Sequence, residues 1–198
     1  MEVAAQIVAN IENVMRPAVI IGLGGTGKEV VALVREYLID QYGGLDRLPI
    51  VSFLVIDTDP RPSDTEQHSA NQRELRLNAD EFVHAQIPNY ATIWANLDIL
   101  PHLEWLAPSL DLGSLGEGAK QIRQLGRLAF FCNFDQIRRA IRAARDKVIS
   151  PANADLIAQL GIRIEQQHRS DPAYYVISSL AGGTGAGMFL DVAFLVKS

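Results

Sequence analysis

Ile21-Gly22-Leu23-Gly24-Gly25-Thr26-Gly27, near the start of the chain, and Ala181-Gly182-Gly183-Thr184-Gly185-Ala186-Gly187, near its end, decide how this sequence is read. Each follows a buried-strand pattern and opens a helical one. Glycine accepts φ > 0 and lets backbone close on a ligand, while the amides at a helix start point outward and favour anions. Each loop therefore has the form of a phosphate cradle. One such loop is weak evidence; two in one small domain point to a polyphosphate held from both sides.

Outward from these loops, strand and helix patterns alternate. Ala18 to Leu23 reads as a central strand, Gly27 to Leu38 as a helix with Val30, Val34, Tyr37 and Leu38 on one face, and Pro49 to Asp57 as a nearly all-apolar strand of a parallel sheet. That order implies a right-handed βαβ crossover. Val3, Ile7, Ile11 and Val14 predict an amphipathic N-terminal helix that Pro17 stops. Ser63 to Asn78 is polar and part helical, with Glu74-Leu75-Arg76-Leu77 as a short edge strand. Residues 79 to 115, with Trp94, Trp105 and three prolines, read as an irregular or helical insertion whose tryptophans cap one side of the sheet. One helical pattern runs from Ile122 to Val148, with Ile137, Ala140, Ile141, Ala144 and Val148 inward and Arg138, Arg142 and Arg145 on a solvated face. A shorter helix follows Pro151 to about Leu160, then a strand over Ala173 to Leu180 and an apolar helix over Met188 to Val196.

The 198 residues make one domain, 48% apolar and 21% charged, enough for a real core. A net charge of −5 argues against a general nucleic-acid binder. Cys132, the single cysteine, excludes internal disulfides and thiolate metal clusters and reads as a small core residue. No long apolar run stands at the N-terminus, so a cytoplasmic protein with no membrane contact is expected.

The first loop fits two phosphate patterns incompletely. Gly22-x-Gly24-x-x-Gly27 matches the dinucleotide fingerprint, with Asp57 or Asp59 to accept from a ribose hydroxyl. Asp57, however, lies about 30 residues beyond Gly27 where the fingerprint expects about 20. Gly22 through Lys28 also matches G-x-x-x-x-G-K, but Glu29 replaces the Ser or Thr that would coordinate magnesium, so Lys28 reads as a solvent-exposed first-turn residue.

The second loop carries a family resemblance. Ser178-Ser179-Leu180-Ala181-Gly182-Gly183-Thr184-Gly185-Ala186-Gly187 resembles the tubulin signature G-G-G-T-G-[ST]-G, shared by tubulins and the division GTPase FtsZ, and is most similar to the form in bacterial tubulin-like proteins. Ala181 replaces the first glycine and Ala186 the hydroxyl residue. Gly22 to Gly27 resembles the family's first phosphate loop. Phe53 to Asp59 resembles its second strand and loop, and Leu115-Gly116-Glu117-Gly118-Ala119 with Gly126-Arg127 its third.

The resemblance implies a three-layer α/β sandwich of Rossmann-like topology with a mainly parallel sheet in the order three, two, one, four. It also implies GTP or GDP held by Gly22, Gly24, Gly25, Thr26, Gly27, Asp57, Thr58, Asp59, Gly116, Gly118, Ala119, Gly182, Gly183, Thr184, Gly185, Ala186 and Gly187, with Mg2+ near Asp57 and Asp59 through water. In the family, a later helix reads the guanine, and an acidic loop of the neighbouring subunit acts on the nucleotide. Both fall outside the matching stretch, so the chain is expected to be part of a longer protein, inactive as a GTPase by itself and able to self-associate into filaments when complete. Gly185→Val is expected to block binding while sparing the fold. Two other classes stay open: a Rossmann-like NAD module and a nucleotide-independent filament or interaction scaffold.

Overall fold

The computed structural model describes residues 15–60, 76–88, 90–96, 103–107, 119 and 121–197. The elements are β1 (Ala18–Leu23), α1 (Gly24–Tyr42), β2 (Val51–Asp57), β3 (Phe82–His84), α2 (Tyr90–Ala95), α3 (Arg123–Cys132), α4 (Phe134–Val148), α5 (Ala154–Gln159), β4 (Ala173–Ser178) and α6 (Gly183–Lys197). The four strands form one sheet in the order β3-β2-β1-β4, parallel throughout, as the sequence predicts.

β1 is central because its side chains are apolar on both faces. Ile20 packs with Val31 of α1 and with Phe53 and Val55 of β2 in one core. Val19, Ile21 and Leu23 point the other way, into a second core with Ile137, Ile141 and Val148 of α4 and Met188 and Val192 of α6. α1 thus covers one face and α4 and α6 the other, giving three layers. Gly22, paired with Val55 and Ile177, faces α1, and a Cβ there would lie 2.5 Å from the Gly27 carbonyl oxygen. A Cβ on Gly27 would lie 2.6 Å from the Ile177 carbonyl oxygen. These two glycines let the first turn of α1 lie directly on β1 and β4.

Several readings change. The edge strand is Phe82–His84, inside what reads as an insertion; Arg76 and Leu77 are not strand, and Glu74 and Leu75 lie outside the described residues. The anchor for the edge is buried: Arg35 Nη1 on α1 donates to Glu81 Oε2 at 2.9 Å, and the same oxygen accepts from the Asn78 amide at 3.0 Å. Three residues with Val83 buried then suffice to pair β2. The long helical pattern is two helices, because Asn133 leaves helical geometry at φ −114°, ψ 16° and its Nδ2 donates to Ala129 O and Gln86 O, closing α3. α4 keeps the expected inward stripe, with Ala140 only partly buried. Cys132 is half-buried at the end of α3 rather than in the core, and burial pushes its thiol pKa up. The predicted N-terminal helix lies outside the described residues.

β4 closes one side of the sheet and is only half-buried, with Tyr175 56% exposed. Leu190 and Phe194 on α6 are likewise exposed. Among the described residues no helix is long and apolar enough to cross a membrane.

Candidate functional site

Both glycine-rich loops stand at the carboxyl edge of the sheet, one leaving β1 and the other β4. Gly24 makes the first turn sharp: at φ +69° it occupies the left-handed region that favours glycine, and the chain enters α1 directly from the strand. A Cβ there would lie 3.1 Å from Thr184 Cβ and 3.3 Å from the Gly185 amide, so the two loops touch. No side chain caps α1 at Leu23, and neither first turn carries an acidic residue. Two helix N-termini thus open side by side with amides and positive dipole ends free of local carboxylates.

The expected glycines divide by surroundings. Gly25 is exposed and Gly182 half-buried, and a Cβ on either would meet nothing within 4 Å. Thr26 is exposed as well. Gly185 is packed: its Cβ would lie 2.9 Å from both the Leu23 carbonyl oxygen and Ser178 Cβ. Gly187 and Gly126 let α6 and α3 cross closely, since a Cβ on Gly187 would strike Arg123 O and one on Gly126 would strike Gly183 O. Gly185→Val is therefore expected to strain the fold as well as the loop, where the sequence reading expects the fold to be spared.

Beneath the loops, polar side chains tie the strands' ends together. Thr58 Oγ1, just past β2, lies 2.6 Å from Thr184 Oγ1 and accepts the Ala119 amide at 2.9 Å. Both hydroxyls are buried, so Thr184 and Ala119 serve first as structural ties among three loops. His84 Nε2 donates to Thr58 O at 3.2 Å. Lys28 is not exposed: its Nζ sits 3.2 Å from Asp57 Oδ2, with the two side chains 6% and 4% exposed. The other oxygen, Oδ1, accepts the Asp59 amide at 3.3 Å. Gly116 and Gly118 lie outside the described residues.

Arg127, expected near the third loop, turns onto the rings of Trp105 (4.9 Å) and Phe131 (5.6 Å) and toward Asp191 Oδ2 at 3.5 Å. Burial raises the Asp191 pKa, and Arg127 pulls it partly back. Trp105 therefore caps α3 rather than the sheet. Trp105, Arg127 and Asp191 line a cavity of about 420 Å³ between α3 and α6. A larger, mostly apolar one of about 680 Å³ lies at the opposite end of the sheet, by Pro17, Val148, Ile157 and Ile162.

The model of the family described as "Tubulin like" matches residues 19–198, nearly the entire chain. The chain belongs to the tubulin-like family. Among solved structures it is similar to CetZ1 from Haloferax volcanii, a GDP-bound monomer, at 18% identity and a TM-score of 0.49, over 92% of this chain. The match spans 38% of the length of that structure. No curated protein sequence matches.

In this tubulin-like chain, sequence reasoning missed the buried Lys28. The signal was present: Lys28, Val31, Ala32, Arg35 and Ile39 fall on one helical face, and all five are buried. Reading Lys28 by the Glu29 that follows it, where a phosphate loop would have Ser or Thr, rather than by that face, sent it to the surface. The pairing of Thr58 with Thr184 across 126 residues has no local signal at all.

Proposed function

We propose that this chain binds guanine nucleotide, GTP or GDP, with the phosphates held by backbone amides of Gly24 to Gly27 and Gly182 to Gly187. The observation that carries the reading is the sheet order. β1 leads to β2 and β3 on one side while β4 lies on the other, so the strand order reverses between β1 and β4, and both glycine-rich loops leave at that reversal. Open α/β sheets take ligands at such a point, outside the carboxyl ends of the strands. Thr26, Asp59 and the segment with Gly116, Gly118 and Ala119 complete the proposed rim, Thr58 and Thr184 hold it from below, and Gly22 and Ala186 shape the loops.

The resemblance brings magnesium with the nucleotide. Asp57 does not fit that role, because one of its oxygens faces the Lys28 ammonium and the other an amide. The same pairing engages Asp57, one of the two carboxylates that an NAD reading offers to the ribose, and leaves that reading Asp59 alone. Hydrolysis, in this reading, needs the base-reading and acidic segments that the family carries beyond the matched region, and filaments form through the completed protein in the cytoplasm. Calorimetric titration with GTP, GDP, ATP and NAD⁺ tests the proposal. Guanine nucleotides should bind best, though weakly; tighter binding of NAD⁺ would end it.

A further inference from the structure

Position 28 is where a phosphate-binding lysine stands in a G-x-x-x-x-G-K loop, yet here the side chain turns inward to the end of β2. Its Nζ lies 3.2 Å from Asp57 Oδ2 and 5.9 Å from the centroid of the Phe82 ring, so strand β3 covers it. The pair is enclosed. A divalent ion at Asp57 would have to expel a buried ammonium or sit beside it, with like charges in contact where water screens little. Asp57 Oδ1 is also engaged, by the amide of Asp59, which folds the loop over the pair. The pair is neutral as a unit, so it does not cancel the positive ends of α1 and α6 that face the phosphate position.

We infer that the Lys28 ammonium, locked onto Asp57, is the resident cation of this site, and that nucleotide phosphates are held here without a divalent metal on Asp57. The inference rests on the nucleotide reading above. It makes Lys28 a positioning residue: it fixes the loop after β2 and occupies the place at Asp57 that a metal ion would take, leaving the amides and positive ends of α1 and α6 to hold the phosphates.

The test is a fluorescence titration of the full chain with an N-methylanthraniloyl derivative of GDP, in magnesium-saturated buffer and in buffer with excess chelator. The wild type should give the same Kd in both, within about threefold. Lys28→Met, which uncovers Asp57, should bind at least about tenfold more weakly in chelator and regain affinity when magnesium is added. The double variant Lys28→Met/Asp57→Leu removes both charges, so no lone buried carboxylate burdens the fold, and it should lose the magnesium rescue. Electron paramagnetic resonance with Mn2+ and nucleotide-free protein gives a second readout. Wild type should leave the ion free, and Lys28→Met should take up one. Wild-type binding that requires magnesium, or Mn2+ held by the wild type and lost in Asp57→Leu, overturns the inference while leaving the nucleotide reading standing. No binding in either buffer overturns the nucleotide reading itself.

Discussion

Two glycines three positions apart in one loop should fail in opposite ways when each becomes valine. At Gly185 the new Cβ would lie 2.9 Å from the Leu23 carbonyl oxygen, 2.9 Å from Ser178 Cβ and 3.3 Å from the Ser179 carbonyl oxygen. Two of those neighbours are backbone in or beside β1 and β4, which cannot swing aside as a flexible side chain can. Overpacking a core by one group costs about 1–3 kcal/mol, and valine adds two further methyls, so Gly185→Val should cost about 3 kcal/mol or more. For a chain of this length that is a fall in Tm of about 6–12 °C. At Gly182 the same Cβ meets nothing within 4 Å, and φ is not in the left-handed region. Gly182→Val should therefore hold Tm within about 2 °C, as surface changes do. Yet it places a branched side chain where phosphate oxygens would approach the amides, and GTP affinity should drop at least about tenfold. Differential scanning calorimetry and isothermal titration separate the two effects. A wild-type Tm in Gly185→Val would refute the packing argument, and a wild-type Kd in Gly182→Val would remove the loop tip from the site.

Thr58→Val should strand the Ala119 amide and the Thr184 hydroxyl without their buried partner, costing about 1–3 kcal/mol in urea unfolding, while Thr58→Ser should recover most of it. For Asp191, burial raises the folded pKa above the unfolded value, so its contribution to stability is fully present below the unfolded pKa and lost as pH rises through the folded one. Because Arg127 opposes that shift, Arg127→Ala should raise the Asp191 carboxyl pKa further in a carbon-detected NMR titration; a fall would show that the pair does not form. Residues 1–198 as a separate polypeptide should bind GTP without releasing phosphate above the no-protein baseline, since water positioning and proton handling are worth orders of magnitude in rate. Magnesium-dependent turnover by these residues alone would place a catalytic group among them, with Asp59 the first to be replaced.

What could be read from the sequence was what repeats at short range. β1 begins and ends where the apolar run Ala18 to Leu23 does, and the sheet order follows the order of the family's loops. The edge strand escaped because Phe82-Val83-His84 is too short for a periodic signal, and its place is fixed by Arg35 reaching Glu81 across 46 residues. The helix break at Asn133 escaped for a related reason. Apolar periodicity passes through it, and only the side chain's two bonds to Ala129 and Gln86 end α3. In the site, glycine spacing located both loops but did not separate Gly182, which faces open space, from Gly185, which packs on β1. That distinction depends on which backbone lies opposite, and the sequence holds it only through the full fold.

The placement of β4 has a consequence for how the molecule comes into being. Arg16, just before β1, binds Asp171, just before β4, across 155 residues, and β1 pairs along its length with both β2 and β4. On a ribosome adding about 5–20 residues per second, β1 and β2 emerge early and β4 follows only after about 8–30 seconds. For that interval β1 is an edge strand, with a row of unpaired amides and carbonyls and part of its second core missing. The two glycine-rich loops meet only once β4 has been made and has joined β1, so a ligand that bridges them selects for molecules in which that late pairing has formed.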